Sequence, residues 1–274
     1  MSRVAKLIQE RAKWLANVRS FFASRNILEV DTPSLSSYAA LDPFIDPIQA
    51  ENNFLHTSPE YRMKELLAQG CGDIYYLGHV FRKEEEGRLH SSEFTMIEYY
   101  RIGKSLNFLI EETLQLIQLF VPKSEVTKMS YDEAMAKYGQ KCPEEGLTEQ
   151  EQRHLIWATQ VEPQFKGITI IDQFPKDEAA LAKIQDGKAM RFEIYYNGVE
   201  LANGYDELTS SKEQRYRFQT ANTKRLTQNK GAFAIDESFL KALDLMPECV
   251  GVAIGFDRLL QIKMGFTTLQ EVLY

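Results

Sequence analysis

The chain has 274 residues, 44% of them hydrophobic and 26% charged, which excludes a largely disordered or fibrous polymer. Lysine and arginine number 32 against 39 aspartates and glutamates, and the net charge of −7 gives no global field favouring nucleic acid. No apolar run is long enough to span a membrane, no signal peptide opens the chain, and cysteines at 71, 142 and 249 are too scattered for a disulfide framework or zinc site, so a reducing, cytoplasmic setting is expected.

Ile8, Ala12, Leu15, Val18 and Phe22 recur at three- and four-residue spacing and predict an N-terminal amphipathic helix. A short strand, Ile27 to Val30, follows and stops before Pro33, which cannot donate to a sheet ladder. His56-Thr57-Ser58-Pro59-Glu60 leads into a helix from Tyr61 to Gln69, ended by Gly70. Asp73 to Glu84 reads as a strand, Glu85 to Ser92 as a loop, and Glu93 to Arg101 as a second strand. Phe108 to Val121 carries leucines and isoleucines at helical spacing, and residues 122–188 read as polar, mostly helical excursions. Met190 to Tyr196 and Val199 to Ala202 flank Asn197-Gly198, a strong hairpin signal. Glu213 to Thr227 reads as a basic helix, and Val250 to Ile254 as a buried strand running through Gly255 into a final helix. No repeat or linker divides the sequence, so residues 1–274 are expected to form a single domain.

Strand alternation sorts the polar residues. Arg82 and Glu84 share parity on one strand, and Phe94, Glu98 and Tyr100 on the next, so an antiparallel pair would gather them on one face. Unpaired ions lose hydration in a core, and the set suits the floor of a cleft. A solvated face with ion pairs would account for Arg82 and Glu98 but not for the aromatics.

In the hairpin, a two-residue turn sets Tyr195 opposite Glu200 and Glu193 opposite Ala202. Glu193 and Glu200 become diagonal neighbours, about 7–8 Å apart. Mg²⁺, bound by one or two carboxylates plus substrate phosphates, would relieve their repulsion; a structural pair with Arg191 is the alternative. Asn203, Tyr205 and Glu207 lie just beyond. Gly251 to Arg258 sets glycines at a strand end, then an arginine in a first helical turn, a placement that opposes the macrodipole unless an anion binds. His56, His79, His90 and His154 have neither metal spacing nor a nucleophile partner.

These elements, in this order, resemble the three signature motifs of class II aminoacyl-tRNA synthetases. The helix and strand ending at Pro33 are similar to motif 1, the dimer element; Phe81-Arg82-Lys83-Glu84 through Glu93-Phe94-Thr95-Met96-Ile97-Glu98 to motif 2; and Gly251 to Arg258 to motif 3. Thr57 to Glu60, Glu93 to Glu98 and Glu200 to Glu207 are similar to the lysyl branch. The resemblance covers nearly the whole chain, least clearly residues 122–188, and implies an α+β fold with an antiparallel sheet flanked by helices, in a homodimer.

Lysyl members carry an N-terminal anticodon-binding OB-fold, for which this sequence leaves no room, and motif 3 usually has Gly where Ala253 stands. Both departures resemble free-standing members that join (R)-β-lysine to a lysine of translation elongation factor P. Lys83 after the motif 2 arginine, and Ser91-Ser92 where Asn-Pro is common, also depart from the lysyl pattern.

By this resemblance Arg82 and Arg258 hold the α- and γ-phosphates of ATP, and Phe94 stacks on adenine. Lys83, Glu84, Arg88, Ser91, Leu201 and Gly255 border the nucleotide, and Glu193 and Glu200 hold Mg²⁺. Ser58, Pro59, Glu60, Glu98, Tyr100, Asn203, Tyr205, Glu207 and Ala253 surround the amino acid, whose two ammonium groups need two anionic ends. The alternatives are a truncated synthetase acting on tRNA or another small acceptor, and an inactive regulatory paralogue; tRNA is disfavoured without an anticodon domain. The basic stretch Lys212 to Arg217, Lys224, Arg225 and Lys230 is either a solvated helix face or a docking surface for an acidic protein.

Overall fold

The computed structural model describes residues 2–83, 86–141 and 144–273. Helix α1 (Arg3–Ala23) starts where the Ser2 hydroxyl accepts the Ala5 N–H, and it buries Leu7, Trp14, Val18, Phe21 and Phe22. The apolar stripe is rotated from the expected one: Ile8 is 50% exposed and Ala12 lies in the open. β1 (Leu28–Glu29) follows at the edge of the main sheet. Short strands β2 (Leu35–Ser36), β3 (Gln49–Ala50) and β4 (Asn53–Leu55) form a small separate sheet before α2 (Glu60–Ala68).

β5 (Ile74–Phe81) and β6 (Glu93–Ile102) form the expected antiparallel pair. β5 ends at Phe81, so Arg82 stands just past the ladder, although its N–H still meets the Ser92 carbonyl at 2.9 Å. Glu84, expected to share parity with Arg82, lies outside the described residues. α3 (Leu106–Ile117) then crosses one face of the sheet, capped by Ser105.

Residues 122–188 differ most from expectation. They supply β7 (Val126–Ser130), α4 (Tyr131–Tyr138), α5 (Glu149–Ile156), a π turn over Trp157–Val161, β8 (Ile168–Pro175) and β9 (Ile184–Gln185). The region is therefore a sheet extension with helices rather than a helical excursion. β8 carries Ile168, Thr169, Ile170 and Ile171 in succession because it is buried on both faces, which removes the alternation that reveals a half-exposed strand.

β10 (Lys188–Tyr196) and β11 (Val199–Asp206) meet through Asn197 and Gly198, whose φ angles of 48° and 80° give the turn its left-handed pair. Tyr195 faces Glu200 as expected, but a β-bulge then shifts the register, so Glu193 faces Asn203 rather than Ala202. α6 (Ser211–Thr227), α7 (Glu237–Leu243), β12 (Cys249–Gly255), α8 (Phe256–Met264) and α9 (Gln270–Leu273) complete the order. The nine-stranded sheet runs β1-β5-β6-β12-β11-β10-β8-β7, with β9 beside β10. It is antiparallel from β5 to β8 and parallel at both end pairs.

One face of this sheet is a helix-covered core. Ile97, Tyr99, Val252 and Ile254 meet Trp14 and Phe22 of α1, Leu109 and Leu116 of α3, and Leu259 of α8 there. The residues between them, including Glu98, Tyr100 and Ala253, face the other way and line a cavity. No described helix is long and apolar enough to cross a membrane.

Most cations of the expected basic stretch have partners within the chain. Arg215 pairs with Glu237, Arg217 with Glu213 and the Ala180 and Ala182 carbonyls, and Lys224 donates to Gln150 at 2.7 Å. Buried Arg225 and half-buried Lys230 share Asp46, each at 2.7 Å. Arg217, Lys224 and Arg225 fasten α6 to its neighbours, whereas Lys212 is exposed and the Arg215–Glu237 pair lies at the surface.

A buried clamp ties α1 to the sheet. Arg11 Nη1 lies 2.5 Å from Asp257 Oδ1, Arg11 Nη2 donates to Thr95 Oγ1 at 2.6 Å, and the Thr95 N–H donates to Asp257 Oδ2 at 2.6 Å. Breaking a buried pair from one side orphans the other charge, so Arg11→Met should lower unfolding stability by about 3–5 kcal/mol in chemical denaturation. A loss below about 1 kcal/mol, the scale of a surface pair, would show that the clamp is not load-carrying.

Candidate active site

The cavity on the open face of the sheet has a volume of about 1060 Å³, at the upper end for a small-molecule site. Its floor comes from β6, β12, β11 and β10, and its sides from the loop at residues 40–45, α2, α6 and the segment between α5 and β9.

At one end, β6 presents Glu98, whose two carboxylate oxygens accept from Ser58 Oγ at 2.6 Å and from the Tyr100 hydroxyl at 2.7 Å. Ser58 is held because it also accepts the Glu60 N–H at 3.0 Å as α2 begins. Tyr100 crosses the sheet beside Gly251, where a Cβ would come within 2.4 Å of its ring and 2.5 Å of Glu207 Oε1. Glycine is required at 251 by this crossing. Ala253 sits in register between Glu98 and Asn203 and lines the floor. Tyr205 lines it further along.

The sequence reading missed Lys64. It is fully buried on α2, and its Nζ lies 2.7 Å from both Glu60 Oε1 and Glu207 Oε2. A lysine four residues after a glutamate on an amphipathic helix reads as a solvated pair, so no sequence signal marks it. Burial, and then the charge on Glu60, push the Glu98 carboxyl up to about 7. Burial and Glu60 also push Glu207 up to about 8, with Lys64 opposing.

In the middle, Glu193 pairs with Arg191 and accepts from the Tyr195 hydroxyl. The Arg191 pair anticipated as the structural alternative therefore forms, and Arg191 Nε also holds Asn203 Oδ1 at 3.2 Å. Glu200 stands close to Glu193, and a third carboxylate, Glu162, reaches the same Tyr195 hydroxyl at 3.3 Å from the π-turn region. Burial and then the Glu193 and Glu200 charges push Glu162 up to about 7; burial does the same to Glu193, with Arg191 opposing and Glu200 assisting. Among the described residues, no three His, Cys, Asp or Glu side chains form a metal-binding group. The donor set fits a cation that takes its remaining ligands from a phosphate, not one caged by protein alone.

At the other end stand the arginines. Arg82 Nε donates to the Thr57 carbonyl at 3.4 Å, and its guanidinium carbon lies 5.2 Å from the centre of the Phe94 ring. Arg258, in the first turn of α8, donates from Nη1 to the Glu200 carbonyl at 2.8 Å and from Nε to the Leu89 carbonyl at 3.3 Å; its Nη2 lies 2.8 Å from His90 Nε2. His90 is thus a site neighbour that its sequence spacing did not indicate. Ser91, Phe94 and Gly255 line this end.

The structure does not bring every expected residue to the cavity wall. Pro59 is buried at the start of α2, where its fixed φ suits the helix entry. Lys83 is not among the residues lining the cavity, and its N–H donates to the Asp46 carbonyl at 2.8 Å, while Arg88 reaches toward the Thr267 carbonyl at 3.4 Å. The Leu201 side chain packs in the helix-covered core, so only its backbone borders the cavity.

The motif 1 helix, the antiparallel sheet and the arginine pair at one end of its open face agree with a match of residues 1–274 to the model of class II tRNA synthetases of the D, K and N group. The chain belongs to that family. Within it, the chain is similar to elongation factor P–(R)-β-lysine ligase of Vibrio cholerae, 39% identical over 302 residues that cover 97% of this chain and 93% of the relative. The ligases of the same name from Photorhabdus laumondii and Proteus mirabilis are 39% and 38% identical over 307 residues, covering 98% of this chain and 94% of each relative.

The raised carboxyls make stability depend on pH. Glu98 and Glu207 hold their protons more tightly in the folded chain than in the unfolded one, where the value is 4.5. The stability tied to them is full below that value and is lost as pH climbs through about 7 and 8. His56, buried and pushed below 6.5, has the opposite effect but acts below that value. The melting temperature should therefore fall between pH 7 and pH 9, and Glu207→Gln should flatten that fall. A melting temperature that rises across this window would contradict the assignment.

Proposed function

We propose that this chain is an ATP-dependent ligase that activates (R)-β-lysine as an adenylate and transfers it to a lysine side chain of translation elongation factor P. The observation that carries the reading is the polarity of one cavity, with arginines and the half-buried Phe94 ring at one end and buried carboxylates at the other. Phosphates suit the first and a substrate with two ammonium groups suits the second. The activity of the similar proteins, rather than the cavity, favours elongation factor P over tRNA as acceptor.

In this reading Arg82 binds the α-phosphate, Arg258 the γ-phosphate, and Phe94 stacks on the base. Gly255 supports a close approach, since a Cβ there would meet only the Arg258 side chain, at 3.5 Å, and would otherwise occupy the nucleotide end. Ser91 and the backbone at Leu201 border the nucleotide. Ser58, Glu60, Glu98, Tyr100, Asn203, Tyr205 and Glu207 surround the amino acid, with Ala253 beneath it.

The substrate carboxylate attacks the α-phosphorus in line, pyrophosphate leaves, and the guanidinium of Arg82 stabilises the charge that develops. Glu193 and Glu200 would hold Mg²⁺, which supplies charge neutralisation to the phosphates when bound. The acceptor lysine amine then attacks the adenylate carbonyl and AMP leaves. Only about one such amine in 2,500 is neutral at pH 7, so the acceptor must shed a proton on entry. The chain acts in the cytoplasm as a homodimer through α1 and β1, a reading supported by Val4, Ile8 and Leu28, each at least half exposed.

Arg82→Ala and Arg258→Ala should each abolish ATP–pyrophosphate exchange while leaving the chain folded, because both side chains sit at the cavity rather than in the core; Arg258→Ala should lower the melting temperature more, since it gives up the bonds to the Leu89 and Glu200 carbonyls. Exchange retained in both variants would overturn the nucleotide assignment. Ala253→Gly should shift preference from β-lysine toward α-lysine, by roughly 10- to 200-fold at most, the range of one methyl group in a pocket. An unchanged ratio of kcat/KM for the two lysines would show that Ala253 is not the discriminator.

A further inference from the structure

We infer that Lys64 sets the charge selectivity of the amino-acid end: its fixed ammonium cancels one of three carboxylates, buried Glu98 and Glu207 and half-buried Glu60, and leaves a deficit that a substrate with two ammonium groups closes. The inference deepens the reading above and rests on it. Lys64 is fully buried, and a lysine at that depth needs one carboxylate to be compensated. It has two, each at 2.7 Å, and Glu98 lies beyond them.

Glu98 gains no compensating charge from its own partners, because Ser58 and Tyr100 are neutral hydroxyls. The Arg191 guanidinium nearby is engaged by Glu193. The groups facing this cluster from the packed strands include Tyr76 of β5, Tyr100 of β6, Tyr205 of β11 and Cys249 of β12, all of which burial pushes toward the neutral form. Lys64 itself is pushed upward by its two carboxylates, against burial, and keeps its proton. The excess negative charge therefore falls on the carboxyls, which take up protons until a cation replaces them.

A substrate with two ammonium groups, its own carboxylate directed to the arginines, brings the cluster to charge closure. A substrate with one leaves a buried carboxylate unpaired or protonated. Lys64 also uses only one oxygen of Glu60 and one of Glu207, so it holds both carboxylates in place with the other oxygen available. It is a positioning residue and makes no contact with the reacting atoms.

The test is ATP–pyrophosphate exchange with β-lysine and with its analogue in which a methyl group replaces the terminal ammonium, on the parent, Lys64→Met and Lys64→Met/Glu207→Gln. Lys64→Met should raise KM for β-lysine about tenfold or more and shrink the preference over the analogue, with KM for ATP changed less than about twofold. The double variant restores the deficit of two and should recover at least about threefold of that loss. An unchanged KM and preference in Lys64→Met, an equal rise in KM for ATP, or a double variant no better than the single would each overturn the inference. Should Lys64→Met fail to fold, the double variant, which leaves one carboxylate rather than two without its ammonium partner, is compared with Glu207→Gln alone. The double variant must then bind β-lysine more tightly, and the reverse order overturns the inference. Absence of exchange in the parent with any lysine would instead overturn the proposed function.

Discussion

One extra residue in β11 decides which side chains meet in the cavity. Before the bulge Glu200 pairs with Tyr195, and after it Asn203 pairs with Glu193 and Tyr205 with Arg191. Glu200, Asn203 and Tyr205 thereby point the same way although their numbers differ in parity, while Leu201 and Ala202, adjacent in sequence, both enter the helix-covered core. In an unbroken strand either Glu200 or the Asn203–Tyr205 set would face that core, where an ion has no partner. The phosphate end and the amino-acid end share one cavity because the strand slips by one residue.

The ends are further joined through the scaffold beneath them. Asp257, next to Arg258, accepts the Thr95 N–H, and Thr95 is next to Phe94, so the two motifs are stitched at adjacent residues. Arg11 closes the stitch from α1, and the same guanidinium lies 5.3 Å from the Phe256 ring centre. The N-terminal helix is thus bonded directly to the residues next to both Phe94 and Arg258. The Arg258 side chain also holds the carbonyls of Leu89 and Glu200, which ties the loop after β5 to the bulge.

Much of this was legible in the sequence where one physical rule dominates. Asn197-Gly198 announced its turn because few other pairs adopt two left-handed conformations in succession, and the alternation in β6 placed Phe94, Glu98 and Tyr100 on one face. The bulge was not legible, since Glu200-Leu201-Ala202 contains no glycine or proline to mark it. β8 was hidden because burial on both faces erases alternation, and Glu162 with it, since the carboxylate arrives from a segment with no motif. Lys64 and the Arg225–Asp46 pair looked like surface charges because spacing along a helix does not reveal what another element brings to it. The rotation of α1 followed from Trp14 and Leu7, whose bulk outweighed the more regular stripe through Ile8 and Ala12.

β12 contributes to the cavity chiefly through atoms that it lacks. Its three cavity-facing positions, Gly251, Ala253 and Gly255, carry one methyl group among them. A ligand lying across this strand rests on peptide edges rather than side chains, so the depth of the recess is set by backbone thickness. Such a floor can only be raised: every substitution at 251 or 255 adds volume, and only at 253 is there an atom to remove. The strand therefore offers natural variation a single direction at two positions and a choice at the third, which concentrates the evolvability of the recess on one carbon.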